Sequence, residues 1–88
     1  MIRYHFRFTG QVQGVGFRWT ATRAANVLGL TGWVYNAWDG SVEMEVQGDE
    51  QSIDQMIAAI DRGRFIQIDN IEKEKIPVVE DERDFNVK

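Results

Sequence analysis

At 88 residues the chain has room for a single domain, residues 1–88, built on one modest hydrophobic core. Its 43% hydrophobic content is that of a folded protein, and having no cysteine it has no disulfide, no Cys-ligated zinc and no thiol nucleophile. Fourteen acidic residues against ten Lys and Arg give a net charge of −4, which argues against a nucleic-acid-binding surface but permits a small anion held by local donors.

The opening residues alternate. Ile2, Tyr4, Phe6 and Phe8 share one face and Arg3, His5, Arg7 and Thr9 the other, which predicts a strand. That alternation is not the continuous apolar run of a signal peptide, and no stretch reaches membrane-spanning length; a cytoplasmic protein without membrane association is expected. From Phe17 the period becomes helical through Ala21, Ala24, Ala25 and Leu28, with Gly29 placed to end the helix. Thr31 to Asn36 returns to strand-favouring residues, and Asp39-Gly40 signals a hairpin into the alternating run Val42, Met44, Val46.

Gly48 breaks that strand, and Asp49 or Ser52 can cap a second helix whose buried stripe is Ile53, Met56, Ile57 and Ile60. Gly63 closes it. Phe65 to Ile76 reads as a long strand. Its apolar frame shifts between Ile68 and Ile71, so a bulge is expected near Asp69 or Asn70. Pro77 stops that strand, and the acidic connector Glu80-Asp81-Glu82 leads to a short last strand at Phe85–Val87. The order βαββαβ predicts an α+β, ferredoxin-like sandwich: an antiparallel sheet with two helices on one face. That fold hosts unrelated activities, so function has to be read from sites.

Thr9-Gly10-Gln11-Val12-Gln13-Gly14-Val15-Gly16-Phe17-Arg18 is the segment with most chemistry. Its glycines allow successive N–H groups to face one hollow, the helix start adds unpaired N–H groups, and Arg18 supplies a planar fork for two phosphate oxygens. Glycines at a strand-to-helix turn can also serve sterics alone. The segment lacks the last glycine of the dinucleotide fingerprint and the Lys-Ser or Lys-Thr of a P-loop, so no nucleotide is indicated. In the second segment, Gly32-Trp33-Val34-Tyr35-Asn36-Ala37-Trp38-Asp39-Gly40, an amide at Asn36 could orient a water. Judged on that segment alone, turn hydrogen bonding is the simpler role for it.

Taken together, Gly10 to Arg18 resembles the first signature of the acylphosphatase family. Gly32 to Asn36, followed by Asp39-Gly40-Ser41-Val42-Glu43 and Gly48, resembles the second. The resemblance implies hydrolysis of acyl phosphates to carboxylate and phosphate, with no metal, no cofactor and no covalent intermediate. It puts the phosphate-binding arginine at Arg18, the water-positioning asparagine at Asn36, and the main-chain cradle on Val12, Gln13, Gly14, Val15, Gly16 and Phe17. Three positions depart from the family pattern. Tyr35 stands where a basic or small residue is usual, Ala37-Trp38 lacks a hydroxyl, and Arg62-Gly63-Arg64-Phe65 replaces a proline-bearing turn.

A different class of function remains open: a catalytically silent phosphate-binding module of the same fold. Other candidates are weaker. His5 reads as a surface residue, Glu43 and Glu45 as a solvated strand face, and Glu72-Lys73-Glu74-Lys75 as a solubilising edge. Trp19, Trp33 and Trp38 could rim a substrate site, with packing the simpler role for Trp33. A small-molecule acyl phosphate is the expected partner, and a monomer is expected from size.

Overall fold

The computed structural model describes residues 1–88 and arranges them as β1 (Ile2–Gln11), α1 (Phe17–Leu28), β2 (Thr31–Asn36), β3 (Val42–Gly48), α2 (Glu50–Asp61), β4 (Gln67–Ile76) and β5 (Phe85–Val87). The sheet order is β4-β1-β3-β2-β5. β3 lies between β1 and β2 and is antiparallel to both, so β1-α1-β2 is the split crossover unit of the ferredoxin-like fold. Tyr4, Phe6 and Phe8 of β1 form one buried cluster with Val42, Met44 and Val46 of β3, Phe17, Ala21 and Ala25 of α1, and Ile53, Met56 and Ile60 of α2. Both helices therefore cover the same face. No helix is long and apolar enough to cross a membrane.

The sheet is mixed rather than antiparallel throughout. The four strands β4, β1, β3 and β2 pair antiparallel, but β5 pairs parallel to β2 through Gly32↔Phe85, Trp33↔Asn86 and Val34↔Val87. The cause is the route taken by residues 77–84. β4 ends opposite Arg3 at one edge, and the connector crosses the end of the sheet to enter the far edge beside the start of β2.

Arg3 holds that connector down. It is only 2% exposed although it sits on the face away from the helices. Its guanidinium donates to Glu82 Oε1 (2.8 Å), Gln47 Oε1 (3.0 Å) and Glu45 Oε1 (2.9 and 3.1 Å). Gln47 in turn accepts from Val79 N–H and donates to Val79 C=O. Burial alone would lower the Arg3 pKa, but the bonds to Glu82 and Glu45 outweigh it and leave the value raised. The periodicity places Arg3 on the outer face correctly; its partners make that position a buried one.

The bulge falls at Asp69. Thr9 pairs with Asn70 and Gly10 with Ile68, so Asp69 is the residue without a partner. A bulge is what lets Ile68 and Ile71 face the same side despite odd spacing. Gly10 is required opposite it, since a Cβ there would lie 2.3 Å from the Gln67 carbonyl oxygen. β4 starts at Gln67, two residues later than the apolar pattern suggests, and Phe65 is exposed.

Candidate active site

Residues 12–16 make the turn from β1 into α1. Gly14 and Gly16 have φ of +71° and +84°, and no other residue of the turn has positive φ. The sign thus alternates from Gln13 to Phe17, the pattern that aims successive N–H groups at a common hollow. A Cβ at either glycine would meet nothing within 4 Å, so handedness rather than space calls for glycine there. The N–H groups of Val12 to Arg18 make no hydrogen bond within the chain.

The two helix starts are built differently. α2 begins at Asp49, whose carboxylate accepts from Ser52 N–H, and carries Glu50 in its first turn. Its positive end is thereby compensated. α1 begins at Gly16 with no side-chain cap and no acidic residue in the first turn. Its free donors and positive end face the glycine turn, where an anion would be favoured.

Asn36 closes β2 on the helix-facing side, in step with Gly32 and Val34. Its Oδ1 is buried and has no donor, and its amide makes no hydrogen bond to the chain. Turn hydrogen bonding, the simpler role, is therefore filled by others. Asp39 Oδ1 accepts from Ser41 N–H (3.0 Å) and Ser41 Oγ (2.6 Å), Ala37 N–H donates to Ser41 C=O (2.9 Å), and Gly40 N–H donates to Ala37 C=O (3.2 Å). Those bonds, together with Arg7 donating to Asp39 Oδ2 (3.0 Å), bring the Asp39 carboxyl down to about 2, the Ser41 side-chain bond contributing most. Leaving a buried carbonyl unpaired costs about 1–3 kcal/mol, a cost that a ligand or water reaching the amide would offset.

Arg18 and Asn36, 18 residues apart, line one cleft of about 500 Å³. Val12, Gly14, Gly16 and Phe17 line it as well, joined by Trp19, Thr22 and Val87. No carboxylate is among the lining residues, and Arg18 has no ion-pair partner: the arginine–carboxylate pairs of the chain are made by Arg3 and Arg7. In a net-negative protein this hollow is basic and free of acids, and it is the one that also holds the glycine turn and Asn36. Gln13 and Val15 turn their side chains elsewhere, so only their main chain is available to the cleft. The Gln13 amide donates to Ala37 C=O and Ser41 C=O (2.7 and 2.8 Å), and Val15 packs on the core.

Thr22 could have been read from its place one helical turn after Arg18. Val87 could not, because it reaches the cleft only through the parallel pairing of β5. Of the three tryptophans only Trp19 lines the cleft. Trp38 is 96% exposed and outside it, Trp33 lies on the outer face against His5 and Lys88, and Tyr35 points to that face too. His5 sits between Glu43 and Glu45, 3.0 Å from each. A larger groove of about 630 Å³ between α2 and β4 is lined by Asp54, Asp61 and Asp69, a poor setting for a phosphate.

The sequence profile of the acylphosphatase family matches residues 4–87. An acylphosphatase of Caldanaerobacter subterraneus subsp. tengcongensis is 42% identical over 84 residues, covering 94% of this chain and 93% of its own. One from Clostridium acetobutylicum is 39% identical over 88 residues, covering 99% and 97%. The crystal structure of acylphosphatase from Bacillus subtilis superposes with a TM-score of 0.91 at 31% identity, covering 100% of this chain and 99% of that one.

Proposed function

This chain belongs to the acylphosphatase family, whose enzymes hydrolyse acyl phosphates, and from that premise we propose how its own residues carry the reaction. The phosphoryl group docks in the turn, its oxygens accepting from the N–H groups of Val12 through Arg18 and from the Arg18 guanidinium. Asn36 holds a water against phosphorus. The water oxygen forms the new P–O bond as the bond between phosphorus and the acyl oxygen breaks, and the electron pair leaves on the carboxylate. One water proton stays on phosphate and the other passes to a phosphate oxygen or to solvent, since an amide is no base.

A carboxylate is a good leaving group, so positioning and charge stabilisation can supply most of the catalysis. The observation that carries this reading is the pairing, in one acid-free cleft, of an unpartnered arginine with a buried amide whose carbonyl has no donor. Every residue invoked comes from one chain, which supports action as a monomer. A cytoplasmic location and the absence of metal and cofactor belong to the same reading.

The test is release of phosphate from benzoyl phosphate and acetyl phosphate in excess EDTA. Turnover unaffected by EDTA and competitively inhibited by inorganic phosphate is the expected result. A protein that binds phosphate yet hydrolyses neither substrate would be a silent phosphate-binding module instead.

A further inference from the structure

The cleft lining is chemically mixed. The free amides and Arg18 suit an anion. Two exposed apolar side chains, Trp19 (67% exposed) and Val87 (50% exposed), line the same cleft. Trp19 follows Arg18 in the first turn of α1, and both side chains line the cleft. It also lines the groove between α1 and α2, and is thus the wall where the cleft meets the helix surface. The Arg23 guanidinium lies over its ring, 5.5 Å from the centroid, one turn further along the helix. A cation stacked on one face helps to set the orientation of an otherwise exposed indole.

A tryptophan left two-thirds exposed at the edge of an acid-free hollow is not explained by core packing. It buries little, and none of the core depends on it. We infer that Trp19 is the acyl-recognition residue of this cleft, taking the flat substituent of an aromatic acyl phosphate against its indole while Arg18 and the turn hold the phosphoryl group. This rests on the function proposed above and assigns its substrate class. In an acyl phosphate the substituent is separated from phosphorus only by the bridging oxygen and the carbonyl carbon. A ring there can meet an exposed indole that lines the same cleft as the phosphate-binding arginine, whereas a methyl group presents little surface to it. Ring-on-ring contact adds about two- to ten-fold beyond simple burial. Trp38, although nearer to Asn36 in sequence, lies outside the cleft and is not part of the proposal.

The experiment compares wild type with Trp19→Ala and Trp19→Phe in two assays. The first is kcat/KM for benzoyl phosphate against acetyl phosphate. The second is binding of the non-hydrolysable benzoylphosphonate and acetylphosphonate, with inorganic phosphate alongside. The expected result is a benzoyl preference in wild type that falls roughly ten-fold in Trp19→Ala and is largely restored in Trp19→Phe. The loss for benzoylphosphonate should exceed any loss for inorganic phosphate. A benzoyl preference that survives in Trp19→Ala, or no preference in wild type, overturns the assignment while leaving hydrolysis intact. Absence of hydrolysis with a Trp19-dependent phosphonate preference would overturn the reaction and keep the subsite. Failure of both phosphonates to bind overturns both.

Discussion

Gln13 reaches across from the glycine turn to Ala37, donating to its carbonyl at 2.7 Å, and from the same nitrogen to Ser41 C=O at 2.8 Å. Ala37 is the residue after Asn36. One side-chain amide thus couples the segment that would hold phosphate to the hairpin that would hold water. Gln13→Met keeps the length but removes the donor nitrogen, leaving both carbonyls unpaired without adding a charge beside the anion-favouring turn. It should lower kcat by about ten-fold or more, with a smaller effect on the inhibition constant for phosphate, because the two halves of the site lose registration. Steady-state kinetics with phosphate as competitor separate these effects.

Arg18→Ala and Asn36→Ala should each cost at least roughly 10²-fold in kcat/KM, the scale for removing one preorganised group. They should differ in kind. Arg18→Ala weakens phosphate inhibition as well, whereas Asn36→Ala leaves it nearly unchanged, since water rather than phosphate is its proposed charge. Asn36→Ala also removes the unpaired buried carbonyl, so its thermal midpoint should equal or exceed that of wild type. A folded double variant with normal turnover would remove both residues from the mechanism.

The glycines divide into two classes that substitution can tell apart. A Cβ on Gly32 would lie 1.9 Å from the Glu45 carbonyl oxygen, within the β2–β3 ladder. Gly32→Ala should therefore prevent stable folding. Gly14→Ala meets no atom and suffers only its left-handed φ, at a cost of about 1–2 kcal/mol if the conformation is kept. Relaxing that φ would break the alternation of the turn. The expected phenotype is a folded protein with weakened phosphate inhibition, checked by circular dichroism beside the kinetics.

Asp39 gives a pH signature. Its folded-state carboxyl lies at about 2, below the ordinary value, because Ser41 and Arg7 bond its charged form. A depressed carboxylate stabilises fully above its unfolded pKa of about 3.9, and that contribution is lost as pH falls through the folded value. The gap in thermal midpoint between wild type and Asp39→Asn should be constant at pH 5 and above and should close between about pH 4 and 2. An unchanged gap across that range would mean that the hairpin does not depend on the charge.

The strap over the sheet's end depends on Arg3. Arg3→Ala leaves Glu45 and Glu82 without their cation in a largely buried setting, which should destabilise the fold by about 1.5–4 kcal/mol in urea titration. Arg3→Lys cannot donate to three partners in one plane and should recover only part of that loss.

How far the sequence anticipates the molecule depends on the range of the interaction. The bulge at Asp69 is legible because the apolar spacing changes phase between Ile68 and Ile71, within one strand. The cap at Asp49 is one of two local options, and the structure selects it because Ser52 already lies inside the helix. The burial of Arg3 is not legible, since Gln47 and Glu82 are 44 and 79 residues away and only the connector's crossing brings them together. Val87 in the cleft follows from the same crossing. Arg18 and Asn36 carry their meaning in local motifs, yet their meeting depends on β1 and β2 running in the same direction on either side of β3. What no local pattern distinguishes is which tryptophan borders the cleft. Trp19 lies at a helix start, Trp33 in a strand and Trp38 in the hairpin turn, and strand phase and hairpin geometry turn the last two away.

The unbonded amides of residues 12–18 also make the protein its own reporter. In heavy water, strand β1 on one side and the body of α1 on the other should trade their hydrogens slowly, being tied into ladder and helix, while the intervening stretch trades its own almost as quickly as an unfolded peptide. Filling the hollow with inorganic phosphate should slow that one stretch, giving a label-free record of occupancy at single-residue resolution without any turnover at all.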